Sequence, residues 1–527
     1  MSFLLEGGRN EMSKQSFLRG TVILIIAGMI TRALGFVNRI VIARLMGEEG
    51  VGLYMMALPS LFLMITLTQI GLPIAISKRV AEANEQGDVK KIKQIMTFSF
   101  FIISCTSIIF TILMIFLAPF IANHLMTDTR TLYPLLAVSP SIAVIVFSSV
   151  IKGYFQGMQN MKPQSIAIVI EQVVRICSIY FIITFLIPYG IEFAAAGAMI
   201  GVFIGEIASF MYLFIVFKRK KSISIRKRFA KQLKGSAETR KQLFSIAIPN
   251  TGSRLISSIS HFLEPILVAQ SLAIAGLTTI QATRQYGELT GYVMPLLFLP
   301  TFITNSLSIA LLPSISAADA GGDRRFVHYR IHQAIRISFA SGALATVVLT
   351  FFSIPILTHM YGTSNASQYI VIMAPCFLFL YIQAPLQATL FAMDLAKYAM
   401  RNSLIGSVVK FSLLVLLASN KFFGIFGVVI AMNTTIILIT LLHLAVLYKK
   451  IGFMLKRTDV LKMIALLAVT GFISFLFKVT FSTYINQLFI LMFVFLCLTI
   501  IYLVLLFVFK FITRDELKQM PFFKQFF

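Results

Sequence analysis

Long apolar runs, separated by short polar segments, follow one another along the whole chain. An α-helix needs about 20 apolar residues to cross the ~30 Å hydrocarbon core of a bilayer. Fourteen runs of about this length cover residues 16–43, 51–76, 95–119, 132–155, 165–187, 193–217, 243–270, 288–313, 334–357, 368–391, 402–418, 424–448, 461–477 and 487–509. The pattern predicts an all-α polytopic membrane protein with 14 transmembrane helices.

The composition points to the same class of protein. Of the 527 residues, 58% are hydrophobic and 13% are charged, whereas soluble domains carry about 25% charged residues. The four cysteines lie inside the apolar runs without CxxC spacing, so we expect neither a metal site nor a disulfide. The chain has no Walker A or HExxH motif, and we therefore predict neither an enzyme nor a bound cofactor.

The basic residues indicate how the spans are oriented. The net charge is +26, and most Lys and Arg residues fall in the two termini and the even-numbered loops. Because cytoplasmic loops collect Lys and Arg, we place both termini in the cytoplasm of a multi-pass protein of the cell membrane. The first span has no convincing cleavage site, so we expect it to be retained. The basic loops contain no nucleic-acid-binding motif, and we predict no nucleic-acid partner.

The two halves of the chain resemble each other weakly. The segment AGMITR at 27–32 aligns with PNTGSR at 249–254, and YPLLAVSP at 133–140 aligns with YIVIMAP at 369–375. Each copy contains six helices, an even number, so we expect both to face the same way across the membrane and to enclose a central cleft. The predicted organisation is an N-terminal tail at 1–15, an N-lobe at 16–217, a basic cytoplasmic loop at 218–242, a C-lobe at 243–448, helices 13 and 14 at 449–510 and a C-terminal tail at 511–527.

Cations recur at repeat-related positions inside the apolar runs. Arg32 and Arg39 stand seven residues apart in the first span, and Arg254 and His261 have the same spacing in the seventh. A charge at membrane depth costs about 2.5 to 3.5 kcal/mol on the insertion scale, so we interpret these four as substrate-binding cations that line a cavity. Polar candidates on the same helices are Asn38, Asn250, Ser257 and Glu264. The alternative is that Arg254 and Glu264 pair with other helices for packing alone.

Other ionisable residues in the spans allow two interpretations each. Glu171 and Arg175 lie at i and i+4, which suits either a structural ion pair or a coupling site. Glu206 either titrates a coupled proton or hydrogen-bonds to a neighbouring helix. Lys410 either reaches the cleft or extends to the interface. The turn from Arg284 to Glu288 is a candidate lid.

The sign of the cavity charge indicates the substrate class. Fixed cations favour phosphate or pyrophosphate, whereas an exporter of cationic drugs needs carboxylates. No soluble insert is large enough to hold a nucleotide-binding domain. We therefore expect the energy to come from a coupling ion (a proton or sodium), the membrane potential or the substrate's own gradient.

Several motifs resemble a known superfamily of transporters. The run TRALGFVNRIVIAR at 31–44, followed by Gly47, resembles the first-helix motif of the multidrug/oligosaccharidyl-lipid/polysaccharide (MOP) flippases, particularly the lipid II flippases. The segments GEEGVGLYMMALP at 47–59, KGYFQGMQNMKP at 152–163, PYGIEFAAAGAM at 188–199 and QYGELTGY at 285–292 are similar to superfamily members that act in the sporulation of endospore-forming bacilli. The resemblance covers nearly the whole chain.

This resemblance implies a fourteen-helix, two-lobe flippase that moves an undecaprenyl-pyrophosphate-linked peptidoglycan precursor by alternating access. It further implies spore cortex synthesis, the forespore-surrounding membrane as a location, and membrane lipids and cell-wall synthesis enzymes as partners. Arg32 falls on the family's first cavity arginine, whereas the family's Arg-Asp pair is replaced here by Asn38-Arg39. Three alternatives remain: a flippase for another polyprenyl-linked polysaccharide, a cation-coupled multidrug exporter, and a scaffold that does not transport.

Overall fold

The computed structural model describes residues 2–219, 237–482, 484 and 487–511. Within these residues the regular structure is entirely helical, and no β-strand is present. Most of the predicted basic loop at 218–242 and nearly all of the predicted tail at 511–527 lie outside the described residues. The predicted all-α membrane fold is confirmed.

Seventeen α-helices make up the described chain. They are α1 Ser2–Gln69, α2 Leu72–Glu85, α3 Val89–Phe120, α4 Leu132–Val138, α5 Ser141–Gly157, α6 Lys162–Leu186, α7 Ile191–Arg219, α8 Ala237–Ile274, α9 Thr279–Gly287, α10 Met294–Leu297, α11 Thr301–Ala320, α12 Arg324–Tyr361, α13 Ser367–Ala392, α14 Ala396–Ala418, α15 Ile425–Ile451, α16 Arg457–Thr480 and α17 Leu488–Val508. Short π-helical or 3₁₀ segments join some of them, at Ile121–Leu125, Thr129–Thr131, Ile187–Tyr189 and Glu288–Val293.

Thirteen segments of the described chain are long and apolar enough to cross a membrane. The first of them, Gly28–Gln69, is 42 residues long and contains most of the first two predicted spans, 16–43 and 51–76. Gly47 interrupts it with a φ of 65° and a ψ of −172°, a backbone conformation that is not helical and that glycine adopts at little cost. The predicted number of fourteen is not confirmed; the first two predicted spans fall in one apolar segment, which the break at Gly47 divides into two helical parts.

The eighth predicted span, 288–313, is wrong as a continuous helix. Its beginning is the π-helical segment Glu288–Val293 followed by the four-residue α10. The long helix, α11, starts only at Thr301, with Pro300 at its N-cap. Proline lacks the backbone N–H that a continuing helix needs, which explains the interruption before Thr301.

The chain divides into two compact units, and the boundary differs from the predicted lobes. The first unit contains residues up to Gln270 together with Thr278–Gly287, and the second contains Ser271–Leu277 and the remainder from Glu288. Most of α8 therefore groups with the first unit, although the repeat assigns it to the C-lobe. The lobes at 16–217 and 243–448 remain a prediction based on the repeat.

Contacts with the second half of α1 and with α2 and α3 hold α8 in the first unit. The Thr66 and Ser258 hydroxyls are 2.8 Å apart, and the rings of Phe98 and Phe244 meet edge to face. At the start of α2, Gly71 has a φ of 63° and packs directly against the carbonyl oxygen of Ala247. A side chain at Gly71 would be excluded both by this backbone conformation and by the close approach.

Glycines at every fourth residue set the spacing between α6 and α7. Gly197, Gly201 and Gly205 follow one another along α7, and the Cβ that each lacks would overlap side chains or backbone of α6. Small residues with this spacing let two helix backbones approach closely in a membrane. The close contact brings residue 206 of α7 against residues 171 and 175 of α6.

Aromatic residues make the corresponding close contacts in the second unit. Gly342 of α12 packs against the ring of Tyr381 in α13, and the Tyr381 hydroxyl donates a hydrogen bond of 2.7 Å to the carbonyl of Leu297. The hydroxyl of Tyr502 in α17 donates to the carbonyl of Ala340 in α12. The last two helices are therefore anchored to the second unit through α12.

A second glycine contact joins α9 to α1 and generates a testable prediction. A Cβ on Gly52 would overlap the backbone carbonyl of Thr283, which cannot rotate away. We expect Gly52→Ala to destabilise the protein by about 1 to 3 kcal/mol through overpacking. Gly28→Ala is the control, because a Cβ there meets nothing within 4 Å. Thermal unfolding of the purified variants in detergent checks the difference, and equal midpoints for Gly52→Ala and the wild type would contradict the close contact.

Candidate functional site

The four predicted cavity cations all lie on exposed faces of the first unit. Arg32 and Arg39 are exposed on α1, and Arg254 and His261 are exposed on α8. Within the described residues, no hydrogen bond or ion pair involves Arg39, Arg254 or His261. Because an unpaired cation in contact with lipid is costly, an exposed face of this kind is expected to line an aqueous cavity. Substrate binding by these residues remains a prediction.

The predicted polar stripe of α8 has one packed side and one exposed side. Ser258 packs against Thr66 of α1, whereas Arg254, Ser257 and His261 are exposed. Glu264, one turn further on, is partly buried and interacts electrostatically with Tyr286. The side chain of Asn250 lies outside the described side chains. The stripe therefore presents two cations on the side that faces away from the helix contact.

Asn38 and Arg39 occupy different environments although they are adjacent in sequence. Asn38 is only 7% exposed, and in the described structure its buried Oδ1 atom has no hydrogen-bond partner. Arg39 is exposed and stands two helical turns from Arg32, so the two arginines share one face of α1. The guanidinium of Arg39 therefore lies on the exposed face of α1, whereas the amide of Asn38 lies in the packed interior.

A cluster of four charged residues lies inside the first unit. The Arg175 Nη2 atom is 2.5 Å from a carboxylate oxygen of Glu171 and 3.2 Å from one of Glu206. The Lys152 ammonium lies 3.9 Å from the second oxygen of Glu171. Two cations balance two carboxylates, so the cluster is electrically neutral. Glu206, for which the sequence offered no local partner, is paired with Arg175 across the α6–α7 contact.

The packing around this cluster is tight but leaves two polar atoms without partners. Gly205 would place a Cβ within 2.9 Å of both the Arg175 side chain and the Glu171 carbonyl. Arg175 Nε and Glu206 Oε2 are buried and make no hydrogen bond within the described part of the chain. Tyr54 of α1 is buried and lies within electrostatic range of both Arg175 and Arg39.

A second polar network joins three loops that we predict to be on the outer side of the membrane. The Asp128 carboxylate is buried and accepts hydrogen bonds from Arg130 and from the Thr283 hydroxyl, the latter at 2.8 Å. Arg130 also pairs with Glu49, which follows the break in α1. Residues from loops 1, 3 and 7 meet here, as expected if all three lie on one side of the membrane.

The candidate lid is held against α1 in this structure. Arg284 pairs with Glu48, and Gly287 approaches the backbone of Glu48 and Gly52 closely. Glu288 begins the π-helical segment and is buried. Whether the turn opens and closes as a lid remains a prediction.

Lys410 lies apart from these groups, in α14 of the second unit. Its ammonium is 4.8 Å from the centre of the Phe411 ring. Its reach to the cleft or to the interface remains a prediction.

Sequence reasoning missed several charged residues of these networks. Lys152 lies near the end of its predicted span and was not recognised as part of the cluster with Glu171. Asp128 and Glu48 lie in short predicted loops, and their partners Thr283 and Arg284 are more than 150 residues away in sequence. Glu49 lies in the same predicted loop as Glu48, and its partner Arg130 is 81 residues away. The sequence feature that indicated a special role for Glu48 and Glu49 is the motif GEEGVG at 47–52. Its acidic pair follows directly after the glycine that breaks α1.

None of the described residues forms a group of three or more His, Cys, Asp or Glu side chains that could hold a metal ion.

The charged cluster generates a prediction about stability. Arg175→Met would leave the buried carboxylates of Glu171 and Glu206 close together with only Lys152 nearby. We expect this change to cost about 3 kcal/mol, since removing one partner of a buried ion pair leaves uncompensated charge. The matched control is Arg79→Met, which breaks a more exposed pair with Glu82 and should cost about 1 kcal/mol or less. Thermal unfolding in detergent checks this, and equal losses for the two variants would contradict it.

Comparison with known proteins establishes the family. The family model described as "Polysaccharide biosynthesis protein" matches residues 17–319. Stage V sporulation protein B of Bacillus subtilis (strain 168) is 50% identical over 510 residues, which cover 97% of this chain and 98% of the relative.

Two solved structures share the fold. The lipid II flippase MurJ in an inward closed conformation matches with a TM-score of 0.69 at 18% identity, covering 93% of this chain and 98% of that chain. A multidrug resistance MATE family transporter of the MOP superfamily, in an inward-facing conformation, matches with a TM-score of 0.67 at 16% identity. The match covers 82% of this chain and 98% of that chain. The chain therefore belongs to the polysaccharide biosynthesis protein family, and its fold is that of the MurJ and MATE transporters.

Proposed function

We propose that this protein is a flippase that translocates an undecaprenyl-pyrophosphate-linked peptidoglycan precursor, similar to lipid II, across the cytoplasmic membrane for spore cortex synthesis. The observation that carries the proposal is the set of exposed cations Arg39, Arg254 and His261, which have no partner within the described residues. The relation to stage V sporulation protein B supports the sporulation role. The relation to MurJ supports the choice of a lipid-linked precursor.

The chemistry of the headgroup fits these cations. A pyrophosphate carries several negative oxygens, and guanidinium groups bind phosphate oxygens with two parallel hydrogen bonds. Arg32 and Arg39 on one helix face, together with Arg254 and His261 on another, supply up to four positive groups. The polyprenyl tail would stay in the surrounding lipid.

The proposed transport cycle is alternating access. The headgroup binds while the site is open to the cytoplasm, and a conformational change then exposes it to the outer side. Prolines at positions 59, 73, 295, 300 and 313 lie in predicted spans 2 and 8 and permit bending there. In sporulating cells we place the protein in the membrane that surrounds the forespore, with cell-wall synthesis enzymes as partners.

The alternative of a multidrug exporter for cations receives less support. Such a transporter needs carboxylates that are free to bind a cationic drug. The buried acids Glu171 and Glu206 are instead neutralised by Arg175 and Lys152. A flippase for another polyprenyl-linked polysaccharide fits the same cations, and only the saccharide contacts would distinguish it.

We propose the charged cluster as the place where a coupling proton is bound. The Glu206 Oε2 atom is buried and has no partner in the described structure, so a proton there would not disrupt an existing hydrogen bond. A sodium ion requires several oxygen ligands, and the neighbouring guanidinium of Arg175 and ammonium of Lys152 would repel it. Glu171, Arg175, Lys152 and, at longer range, Arg39 are the charged groups that would sense this proton.

The headgroup site is tested by complementation of a strain that lacks the gene. We expect Arg32→Ala, Arg39→Ala and Arg254→Ala each to abolish cortex synthesis at normal membrane levels, with lipid-linked precursor accumulating on the inner leaflet. Arg401→Ala is the control, because Arg401 lies over the ring of Tyr398 and belongs to no proposed site. Full complementation by the three site variants would contradict the proposal and favour a scaffold.

Proton coupling is tested in reconstituted vesicles. Glu206→Gln preserves the pairing of Arg175 with Glu171, so we expect the protein to fold normally. The variant should translocate precursor at a rate that no longer responds to an imposed pH gradient, whereas the wild type responds. An unchanged response in Glu206→Gln would exclude this residue as the proton site and leave the headgroup site unaffected.

A further inference from the structure

A groove on the second unit has no role in the proposed translocation. It has a volume of about 530 Å³ and lies between α12, α13 and the end of α16. Its apolar lining includes Phe351, Pro355, Val371 and Ile372. This volume is in the range of pockets that bind small organic ligands.

The groove lies where the backbone of α12 is irregular. Phe352 has a φ of −118° and a ψ of 23°, which is not helical, and Pro355 follows three residues later. Because proline has no N–H, it cannot donate a hydrogen bond to the carbonyl of Phe351. Irregular backbone at membrane depth is tolerated where it is buried or lines a cavity. The carbonyl of Phe351 therefore lacks its usual helical donor.

The polar part of the lining lies close to the ends of the helices. Ser367 and Gln368 are the first two residues of α13, and Lys478 lies two residues before the end of α16. Pro355 is six residues before the end of α12, about 9 Å along a helix. These positions correspond to the level of lipid headgroups and upper acyl chains, in the leaflet that we predict to be the outer one.

The charge of the groove indicates a ligand with a single negative charge. Lys478 is the one ionisable side chain in the lining, and within the described residues it has no hydrogen-bond or ion-pair partner. A phosphodiester carries one negative charge and matches one ammonium group. A pyrophosphate carries more negative charge than one ammonium group can neutralise. A choline headgroup would instead bring a second cation close to Lys478.

We propose that this groove binds one anionic glycerophospholipid of the surrounding leaflet, such as phosphatidylglycerol. The phosphate contacts Lys478, while Ser353, Ser367 and Gln368 hydrogen-bond to the phosphate and glycerol oxygens. An acyl chain lies along Phe351, Val371 and Ile372. The lipid would fill the irregular region of α12 and satisfy polar groups that the bilayer interior cannot.

Native mass spectrometry of the full-length protein in detergent tests this proposal. Phosphatidylglycerol is titrated against wild type, Lys478→Gln and Val371→Trp, with phosphatidylcholine and undecaprenyl monophosphate as comparison lipids. We expect one tightly bound phosphatidylglycerol on the wild type, and binding about fivefold weaker for Lys478→Gln, which corresponds to the loss of about 1 kcal/mol per lysine. Val371→Trp should block the groove and abolish the tight site.

The control is Lys421→Gln, which removes an exposed lysine from the turn before α15 without touching the groove. It should bind phosphatidylglycerol like the wild type. Equal binding by wild type, Lys478→Gln and Val371→Trp would overturn the proposal, as would tighter binding of phosphatidylcholine or undecaprenyl monophosphate than of phosphatidylglycerol. Because Val371→Trp acts by steric exclusion and Lys478→Gln by charge, the failure of one variant to fold leaves the other to decide.

Discussion

The cost of holding charge at membrane depth governs the arrangement of this protein. The chain meets that cost in two ways within its first unit. Glu171, Arg175, Glu206 and Lys152 neutralise one another in a buried cluster, whereas Arg39, Arg254 and His261 stay exposed and, in the described structure, unpaired. The paired charges can be maintained by packing alone. The exposed ones require water or an anionic ligand, which is what the proposed headgroup site would supply.

Glycine contacts make both arrangements possible. The row Gly197, Gly201 and Gly205 lets α7 approach α6 closely enough for Arg175 to reach Glu206. Gly52 and Gly287 likewise bring the segment Thr279–Gly287 against α1, where ion pairs connect the loops on one side of the membrane. The break at Gly47 interrupts α1 close to the second of these contacts. The same backbone features thus position the charged groups and supply points where the helices can bend.

Local spacing was enough to predict the fold class and part of the site. Apolar length predicted the helices, and the i, i+4 spacing predicted that Glu171 could meet Arg175. Contacts between distant segments could not be predicted in this way, so the partner of Glu206 and the pairing of Glu48 with Arg284 were not foreseen. The prediction of one helix over 288–313 was wrong because it relied on the apolar composition and neglected the prolines, which stop a helix. The repeat placed α8 in the C-lobe, whereas its packing against Thr66 and Gly71 groups it with the first unit.

In-cell photocrosslinking examines most directly whether the exposed cations contact the headgroup. A photoreactive amino acid at Ser257, on the exposed side of α8 between Arg254 and His261, should capture the lipid-linked precursor in sporulating cells. The same residue at Phe116, which is 78% exposed on α3 but remote in sequence from any proposed cation, should capture only bulk lipid. Precursor captured at Ser257 and absent at Phe116 is the result that we predict. No capture at Ser257, or equal capture at both positions, would contradict the assignment of this face as the headgroup site.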